Sequence, residues 1–197
     1  MAAPPIPFHH YLHSPLGWIG VGLADGGKIG RLEVLPESED TLILTPRNRR
    51  EPRVLDFLKS QLDGYFRRTL RTFNLPIHLA GDALEQRVWA ETLLLGFGQC
   101  VSLKVLAERM QATEQANAVA AALRASPVAI LVPTHRVLGW EEAGKLPPWI
   151  RFLRNLEDIV PGESTGLTAA SLPTTAQELA RATAQAPSVT LRTQGKR

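Results

Sequence analysis

Hydrophobic residues recur in three short runs near the start of the chain, between turn-forming and polar residues. The runs cover residues 8–13, 18–23 and 29–35, and each has the length and composition of a short β-strand. The residues Asp-Gly-Gly-Lys at 25–28 separate the last two runs and are typical of a hairpin turn. The pattern therefore predicts antiparallel strands, and residues 41–45 are expected to add an edge strand.

A helical period follows these strand runs. Val54, Leu58, Leu62 and Tyr65 lie three or four positions apart, which places them on one face of a helix. Because strands need an apolar cover on one side, we expect this helix to pack on the sheet and to complete a small α/β unit.

The chain divides near residue 81. Residues 75–79 predict an extended linker, and the helical pattern starts again at Leu84. After Val160 the composition shifts to Ser, Thr, Ala, Pro and Gln, which is typical of disorder. We therefore predict an N-terminal α/β domain over residues 1–80, a C-terminal helical domain over residues 81–159 and a disordered tail over residues 160–197.

Two short helices in the C-terminal part form a helix-turn-helix candidate. Ser102 is a good N-cap for a helix over 103–110, and Thr113 for a helix over 114–125. Five alanines between residues 116 and 122 leave the second helix with little side-chain bulk. A thin helix suits docking in the narrow minor groove of DNA, although tight helix packing explains the same composition.

Composition narrows the class of protein. The chain has 197 residues, 44% of them hydrophobic, so it can bury a substantial core. Its net charge of +3 permits a polyanionic partner without demanding one. Cys100 is the single cysteine, which excludes an internal disulfide, and no Cys/His cluster offers four zinc ligands. Since no apolar run reaches the roughly 18 residues of a membrane helix, we expect a cytoplasmic protein without membrane contact, metal or cofactor.

Reactive side chains follow a buried run. The apolar residues 128–132 are typical of a strand, and the segment Pro-Thr-His-Arg-Val at 133–137 comes directly after them. Glu157 ends the helical pattern at 149–156, where a buried carboxylate needs a partner. We predict that His135 is this partner and that 133–137 belong to a site. A histidine packed in the core is the alternative.

Several short motifs occur in one order along the chain: Val88-Trp89, Phe97-Gly98, Ser102-x-x-x-Leu106-Ala107, the alanine-rich helix, Pro-x-x-Ile-Leu-Val-Pro-x-His-Arg-Val at 127–137, and Leu153-x-x-x-Glu157. Together with Ser-Pro-Leu-Gly-Trp at 14–18, they resemble the O6-alkylguanine-DNA alkyltransferase family over about residues 7–158. The resemblance implies an α+β fold. A small α/β scaffold of ribonuclease-H-like type would precede an all-α, winged-helix-like helix-turn-helix domain.

The sequence departs from this family at the nucleophile. The family has an alkyl-accepting cysteine between the proline and the histidine, and Thr134 occupies that position here. A threonine hydroxyl is not ionised usefully by the histidine that activates a cysteine. The chain therefore resembles the alkyltransferase-like branch, which binds alkylated guanine in DNA without repairing it, and we do not expect an enzyme. A transferase that uses Cys100 or Thr134 as nucleophile is the alternative.

The resemblance also implies a surface that contacts DNA. Asn117 and Leu103 occupy the positions of the family's intercalating arginine and phosphate-crowding tyrosine, so we expect weaker base flipping. These changes favour a further alternative, a DNA-binding or regulatory protein with no lesion preference. The predicted DNA-binding residues are Ser102, Leu103, Lys104, Ala116, Asn117, Ala118, Arg124, Ser126 and Arg136.

The same resemblance places a lesion pocket at Thr134, His135, Val137 and Trp140, with His135 and Glu157 as the remnant of a histidine–water–glutamate relay. The loop before Glu157 is shorter than in the family. The pocket therefore either admits bulkier adducts or no longer receives a base, and Trp140 either stacks on a base or anchors the loop. The expected partners are double-stranded DNA carrying O6-alkylguanine and a downstream repair protein, with a nucleoid location when bound.

Overall fold

A three-stranded antiparallel sheet opens the structure. The computed structural model describes residues 6–36, 53–141 and 146–160. The strands are β1 (His10–Ser14), β2 (Gly17–Ala24) and β3 (Lys28–Val34), in the order β1-β2-β3. These strands confirm the three predicted runs. The predicted edge strand at 41–45, and the predicted tail from residue 161 onward, lie outside the described residues.

The turn between β2 and β3 is a single 3-10 turn, Asp25–Gly27. Gly26 and Gly27 have φ values of 73° and 71°, in the left-handed region that residues with a Cβ rarely adopt. Two consecutive glycines at this point therefore let the chain reverse, as the sequence indicated.

Helix α1 (Arg53–Phe66) confirms the predicted helix. Its buried residues are Leu55, Leu58, Leu62 and Tyr65, which recur at helical spacing. They belong to the same hydrophobic core as the buried residues of β2 and β3. This packing brings Tyr65 toward the C-terminal half of the chain, where it takes part in the site described below.

Two segments without regular secondary structure pair with the edge of β3 that faces away from β2. Ile29 bridges Ile77 and Leu32 bridges Val128, through backbone hydrogen bonds of 2.8–2.9 Å. The segment 75–79, predicted as a linker, thus also extends the sheet. Because one edge strand bonds to both segments, the C-terminal half is attached to the sheet through its backbone.

Residues 128–132 are buried but do not form the predicted strand. Ile130 has φ 70°, which interrupts an extended backbone, and the amide of Leu131 donates to the carbonyl of Ala129 at 2.8 Å. The strand prediction was wrong because an apolar run reports burial and not conformation. The segment turns sharply within the core and delivers Pro133 to the site.

Four helices make up most of the C-terminal half: α2 (Ala83–Leu93), α3 (Leu103–Arg109), α4 (Ala116–Arg124) and α5 (Pro148–Leu156). Asp82 and Glu85 form a capping box at the start of α2. The hydroxyl of Ser102 accepts from the amide of Val105 at 3.2 Å and caps α3, as predicted.

The predicted N-cap of the second helix was wrong. Thr113 begins a 3-10 turn, Thr113–Gln115, and no side chain caps the turn or the start of α4. Helix α4 begins only at Ala116, because the chain passes through this tighter turn first. The predicted tight connection between two short helices is nevertheless present.

A short parallel sheet interrupts the helical half, which was predicted to be all-α. Strand β4 (Val101–Ser102) pairs with β5 (Val137–Leu138). This pairing fixes the start of α3 beside the end of the segment 133–137. Trp89 is buried in α2, and its indole N–H donates to the carbonyl of Ala122 in α4 at 2.8 Å. Among the described residues, no helix has the length and apolarity to cross a membrane.

Candidate functional site

Residues Thr134–Arg136 form a 3-10 turn in the interior of the molecule. The amide of Thr134 donates to the carbonyl of Val132, and the amide of Arg136 donates to the carbonyl of Pro133. Thr134 is 3% exposed and His135 is fully buried. The tight turn therefore directs three consecutive polar side chains into the core, where each needs a partner.

Glu157, which immediately follows α5, is the common partner of His135 and Arg136. Its Oε1 lies 3.0 Å from Nε2 of His135, 2.7 Å from Nη2 of Arg136 and 2.6 Å from the hydroxyl of Tyr65. Its Oε2 accepts from Nε of Arg136 at 2.8 Å and from the amide of Gly98 at 3.1 Å. We call Tyr65, Gly98, His135, Arg136 and Glu157 the Glu157 cluster. The predicted pairing of His135 with Glu157 is confirmed.

The cluster holds Glu157 as a carboxylate. Burial alone would raise the pKa of Glu157, but hydrogen bonds from His135 and Arg136 and the positive charge of Arg136 outweigh it, so that this pKa lies well below its usual range. Burial raises the pKa of the Tyr65 phenol, and the negative charge of Glu157 raises it further. At neutral pH the tyrosine therefore donates its proton to a carboxylate that stays ionised.

Burial also lowers the pKa of His135, and this outweighs the opposite effect of Glu157. A neutral imidazole carries one proton, and the contact with Glu157 places that proton on Nε2. Nδ1 then has a free lone pair. Within the described residues Nδ1 is buried without a hydrogen-bond partner, so His135 presents an unused acceptor beside Thr134.

Two members of the cluster differ from the sequence interpretation. Arg136 was assigned to DNA, but it is 7% exposed, and its guanidinium binds Glu157 and the carbonyl of Leu95. This assignment is corrected, because a buried arginine with these partners does not present its charge to a phosphate. Tyr65 was read only as a core residue of α1. Its role at Glu157 was missed because ninety-two positions separate the two residues.

Residues 139–141, which we call the Trp140 loop, cover the other side of the turn. Trp140 is 7% exposed, and its indole N–H donates to the carbonyl of Thr134 at 2.9 Å. The two interpretations of Trp140 were base stacking and loop anchoring, and this geometry favours the anchor. Val137, also assigned to the pocket, is fully buried in β5.

Arg154 of α5 fixes the turn and the Trp140 loop together. Its Nε donates to the carbonyl of His135 and its Nη2 to the carbonyl of Val137, both at 2.8 Å. The same guanidinium pairs with the carboxylate of Glu141. Arg154 is 5% exposed and was not singled out in the sequence, although an arginine on the apolar face of α5 was the available signal.

The predicted DNA-contacting residues on α3 and α4 lie at different depths. Lys104, Asn117, Ala118 and Arg124 are exposed, whereas Ser102, Leu103, Ala116 and Ser126 are partly buried. The side chain of Ser102 caps α3, and the hydroxyl of Ser126 is buried without a partner among the described residues. The exposed members therefore form the part of this set that a large ligand can reach directly.

Comparisons with known proteins agree with this fold. Residues 83–149 match the family model of the 6-O-methylguanine DNA methyltransferase DNA-binding domain. The chain is 41% identical to a methylated-DNA–protein-cysteine methyltransferase of Mycobacterium leprae over 80 residues, which are 41% of this chain and 48% of that protein. It is 26% identical to the Haemophilus influenzae protein of the same name over 135 residues, 67% of this chain and 73% of that protein.

Solved structures extend the likeness to a larger part of the chain. The crystal structure of Mycobacterium tuberculosis O6-methylguanine methyltransferase matches with a TM-score of 0.61 and 30% identity, covering 78% of this chain and 96% of that one. Mycobacterium tuberculosis OGT in complex with DNA matches with a TM-score of 0.62 and 30% identity, covering 78% and 94%. Fold and site thus define an alkyltransferase-type protein.

The chain belongs to the O6-alkylguanine-DNA alkyltransferase family. The sequence match to the Mycobacterium leprae protein nevertheless spans about half the length of that relative.

Proposed function

We propose that this protein binds O6-alkylguanine in double-stranded DNA through the minor groove and does not transfer the alkyl group. One observation carries the proposal. The resemblance assigns Thr134 to the position of the family's acceptor cysteine, and the next residue, His135, is paired with Glu157 in the structure. The pocket that would receive a damaged base therefore retains its polar partners but offers an oxygen in place of sulfur.

Chemistry explains why this replacement prevents transfer. Alkyl transfer displaces a purine oxygen from carbon and needs a strong, polarizable nucleophile, which a thiolate provides. A cysteine with a pKa near 8.5 loses its proton readily to a neighbouring imidazole. The pKa of His135 is lowered by burial, so it is a weak base and leaves the Thr134 hydroxyl protonated. A bound lesion would leave the site unchanged and remain available to a downstream repair protein.

The domain organisation is part of the proposal. A scaffold over residues 1–80 would support a DNA-binding unit over residues 81–159, with Lys104, Asn117 and Arg124 exposed on α3 and α4. The family model for a DNA-binding domain matches residues 83–149, within the second unit, which supports this division.

Intact mass spectrometry after incubation with an O6-methylguanine duplex tests the absence of transfer. We expect no mass gain on the protein and an unchanged oligonucleotide. A gain of one methyl group would establish an active transferase, and peptide mapping would then separate Thr134 from Cys100. Cys100 is fully buried, so it is poorly placed as a substitute nucleophile.

The Thr134→Cys variant sharpens this test. Because Asn117 and Leu103 remain in place of the residues that support base flipping in the family, we expect slow and incomplete methyl transfer from the duplex. Transfer to Thr134→Cys that is complete within seconds would show that these positions contribute little. Free O6-methylguanine nucleoside serves as the control, because it reaches the pocket without flipping.

Affinity measurements test lesion recognition itself. We expect tighter binding to a duplex with one O6-methylguanine than to the unmodified duplex of the same sequence, at both low and moderate salt. Equal affinities with a steep salt dependence would indicate backbone binding alone. That second function, a DNA-binding protein without lesion preference, is favoured by Asn117, an exposed side chain that is shorter than arginine and uncharged.

A further inference from the structure

Three contacts hold the Trp140 loop. The indole of Trp140 donates to Thr134, Glu141 pairs with Arg154, and Nη1 of Arg124 donates to the carbonyl of Trp140 at 2.8 Å. The first two contacts lie in the interior, since Trp140 and Arg154 are 7% and 5% exposed. The third contact joins this interior loop to an exposed side chain at the last residue of α4.

The guanidinium of Arg124 retains unused hydrogen-bonding capacity. Arginine has five N–H donors in a planar fork, and the bond to Trp140 uses one of them. Within the part of the chain that the structure describes, no other hydrogen bond to this guanidinium is present. Its open edge therefore matches an acceptor that takes two parallel bonds, and phosphate is such an acceptor.

Magnitudes decide what a phosphate at Arg124 would do to the loop. Removing one partner of a buried ion pair such as Arg154–Glu141 costs more free energy than breaking one arginine–carbonyl bond near the surface. Even if a phosphate drew Arg124 away from Trp140, the two interior contacts would keep the loop closed. The Trp140 loop would therefore keep its position, and only the Arg124 side chain would move.

We propose that the Trp140 loop is a brace that preorganises Arg124 to bind one phosphate of the DNA backbone. Ordering a free arginine side chain on binding costs conformational entropy, and a brace lowers that cost before DNA arrives. Because Trp140 is also bonded to Thr134, the bound phosphate is held in register with the pocket. Trp140 is therefore a positioning residue for Arg124. The inference rests on the DNA binding in the proposed function, but not on lesion recognition.

A double-mutant cycle on an undamaged duplex tests the brace. The variants are Arg124→Gln, Trp140→Phe and the double variant. Trp140→Phe keeps an aromatic ring and removes the N–H that bonds to Thr134. We expect Arg124→Gln to reduce the slope of log affinity against log salt by about one unit. Trp140→Phe should weaken binding several-fold in the wild-type background and have no effect in the Arg124→Gln background.

Lys104→Gln provides the matched control. Lys104 is exposed on α3 and makes no contact with the Trp140 loop among the described residues, so its removal deletes the same charge without touching the brace. The effects of Lys104→Gln and Trp140→Phe should therefore be additive. Glu141→Gln removes the ion pair between the Trp140 loop and Arg154 and replaces Trp140→Phe in the cycle if that variant does not fold. Its effect on affinity should likewise disappear in the Arg124→Gln background.

Two results would overturn the brace. Equal losses of affinity from Trp140→Phe with and without Arg124 would mean that Trp140 acts on DNA or on folding by another route. An unchanged salt slope in Arg124→Gln would mean that this side chain binds no phosphate. Failure of the wild-type protein to bind any duplex at low salt would instead remove the proposed function itself, and that outcome is visible before any variant is made.

Discussion

The Glu157 cluster and the exposed residues of α3 and α4 contrast in how tightly their neighbours constrain them. In the cluster, one carboxylate accepts from a histidine, an arginine, a tyrosine and a backbone amide, and the carboxylate and its three side-chain partners are all buried. On the exposed surface, Asn117 and Ala118 face solvent. A substitution in the first region leaves a buried charge unpaired, whereas one in the second mainly changes what a ligand meets.

The presence of the Glu157 cluster is therefore explained by folding and does not by itself indicate a function. Arg136 needs Glu157 wherever this chain folds, because a buried guanidinium without a counter-ion is strongly destabilising. The assembled cluster is therefore required for stability even in a protein that transfers nothing. Function has to be inferred from Thr134 and from the exposed side chains of α3 and α4.

The largest expected effect is the loss of the carboxylate. Glu157→Ala should lower the free energy of unfolding by about 3–5 kcal/mol, because it leaves Arg136 buried without its ion-pair partner. Urea denaturation measures this change. Asp158→Asn is the control, since Asp158 pairs with Arg68 in solvent and should cost less than about 1 kcal/mol. Similar losses for both variants would mean that the cluster does not support the fold.

The hydrogen bond from Tyr65 to Glu157 should contribute less to the free energy of unfolding than the whole Glu157 carboxylate does. Tyr65→Phe removes one hydrogen bond to a carboxylate and preserves the ring, so we expect a loss of about 1.5–3 kcal/mol in urea denaturation. Tyr11→Phe is the matched control, because Tyr11 is the only other tyrosine and its hydroxyl makes no hydrogen bond within the described residues. If both variants lose the same stability, the Tyr65 hydroxyl has no special part in the cluster.

Lowering the pH should reduce the free energy of unfolding in two separate pH ranges. The folded-state pKa of His135 is lowered from 6.5, so below pH 6.5 the unfolded chain binds a proton that the folded chain excludes, and stability falls. The folded-state pKa of Glu157 is also lowered, from 4.5, so its contribution is complete above pH 4.5 and is lost as pH falls further. Each group changes stability by at most about 1.4 kcal/mol per pH unit.

Unfolding of His135→Gln between pH 7 and pH 5 checks the first window. This variant should lose the part of the pH dependence that the buried imidazole causes, while the dependence below pH 4.5 persists. A His135→Gln profile parallel to the wild type over pH 5–7 would contradict the lowered pKa.

The smallest effect on stability is expected on the exposed surface. Asn117→Arg should change the free energy of unfolding by no more than about 0.5 kcal/mol, because Asn117 is exposed on α4. The same variant should bind duplex DNA more tightly, with the salt slope steeper by about one unit. Filter binding or fluorescence anisotropy at three salt concentrations measures both quantities. Unaltered affinity would place Asn117 outside the DNA interface.

Sequence patterns predicted elements better than they predicted contacts. The strands, α1 and the capped start of α3 were accessible because each is determined by a local period or a single cap, such as Ser102. The run at 128–132 was misread since burial on all sides removes the periodicity that distinguishes strand from turn. Thr113 was misread because a 3-10 turn comes between it and α4.

In the site too, contacts between distant residues were harder to predict than local features. The pairing of His135 with Glu157 followed from the requirement that a buried carboxylate has a partner. Arg136 was misassigned because an arginine beside a DNA-binding motif reads as a phosphate ligand until its burial is known. Tyr65 and Arg154 were missed because both act through tertiary contacts, across distances along the chain that no local pattern records.

The contact of Tyr65 with Glu157 has a consequence for how the protein can be divided. A fragment trimmed to residues 83–149, the stretch that matches the DNA-binding family model, would carry Arg136 but neither its ion-pair partner Glu157 nor Tyr65. Its guanidinium would be stranded in an apolar interior, so such a fragment should be poorly stable when expressed alone. The stretch that matches the DNA-binding family model is therefore stabilised by residues that both precede and follow it along the chain.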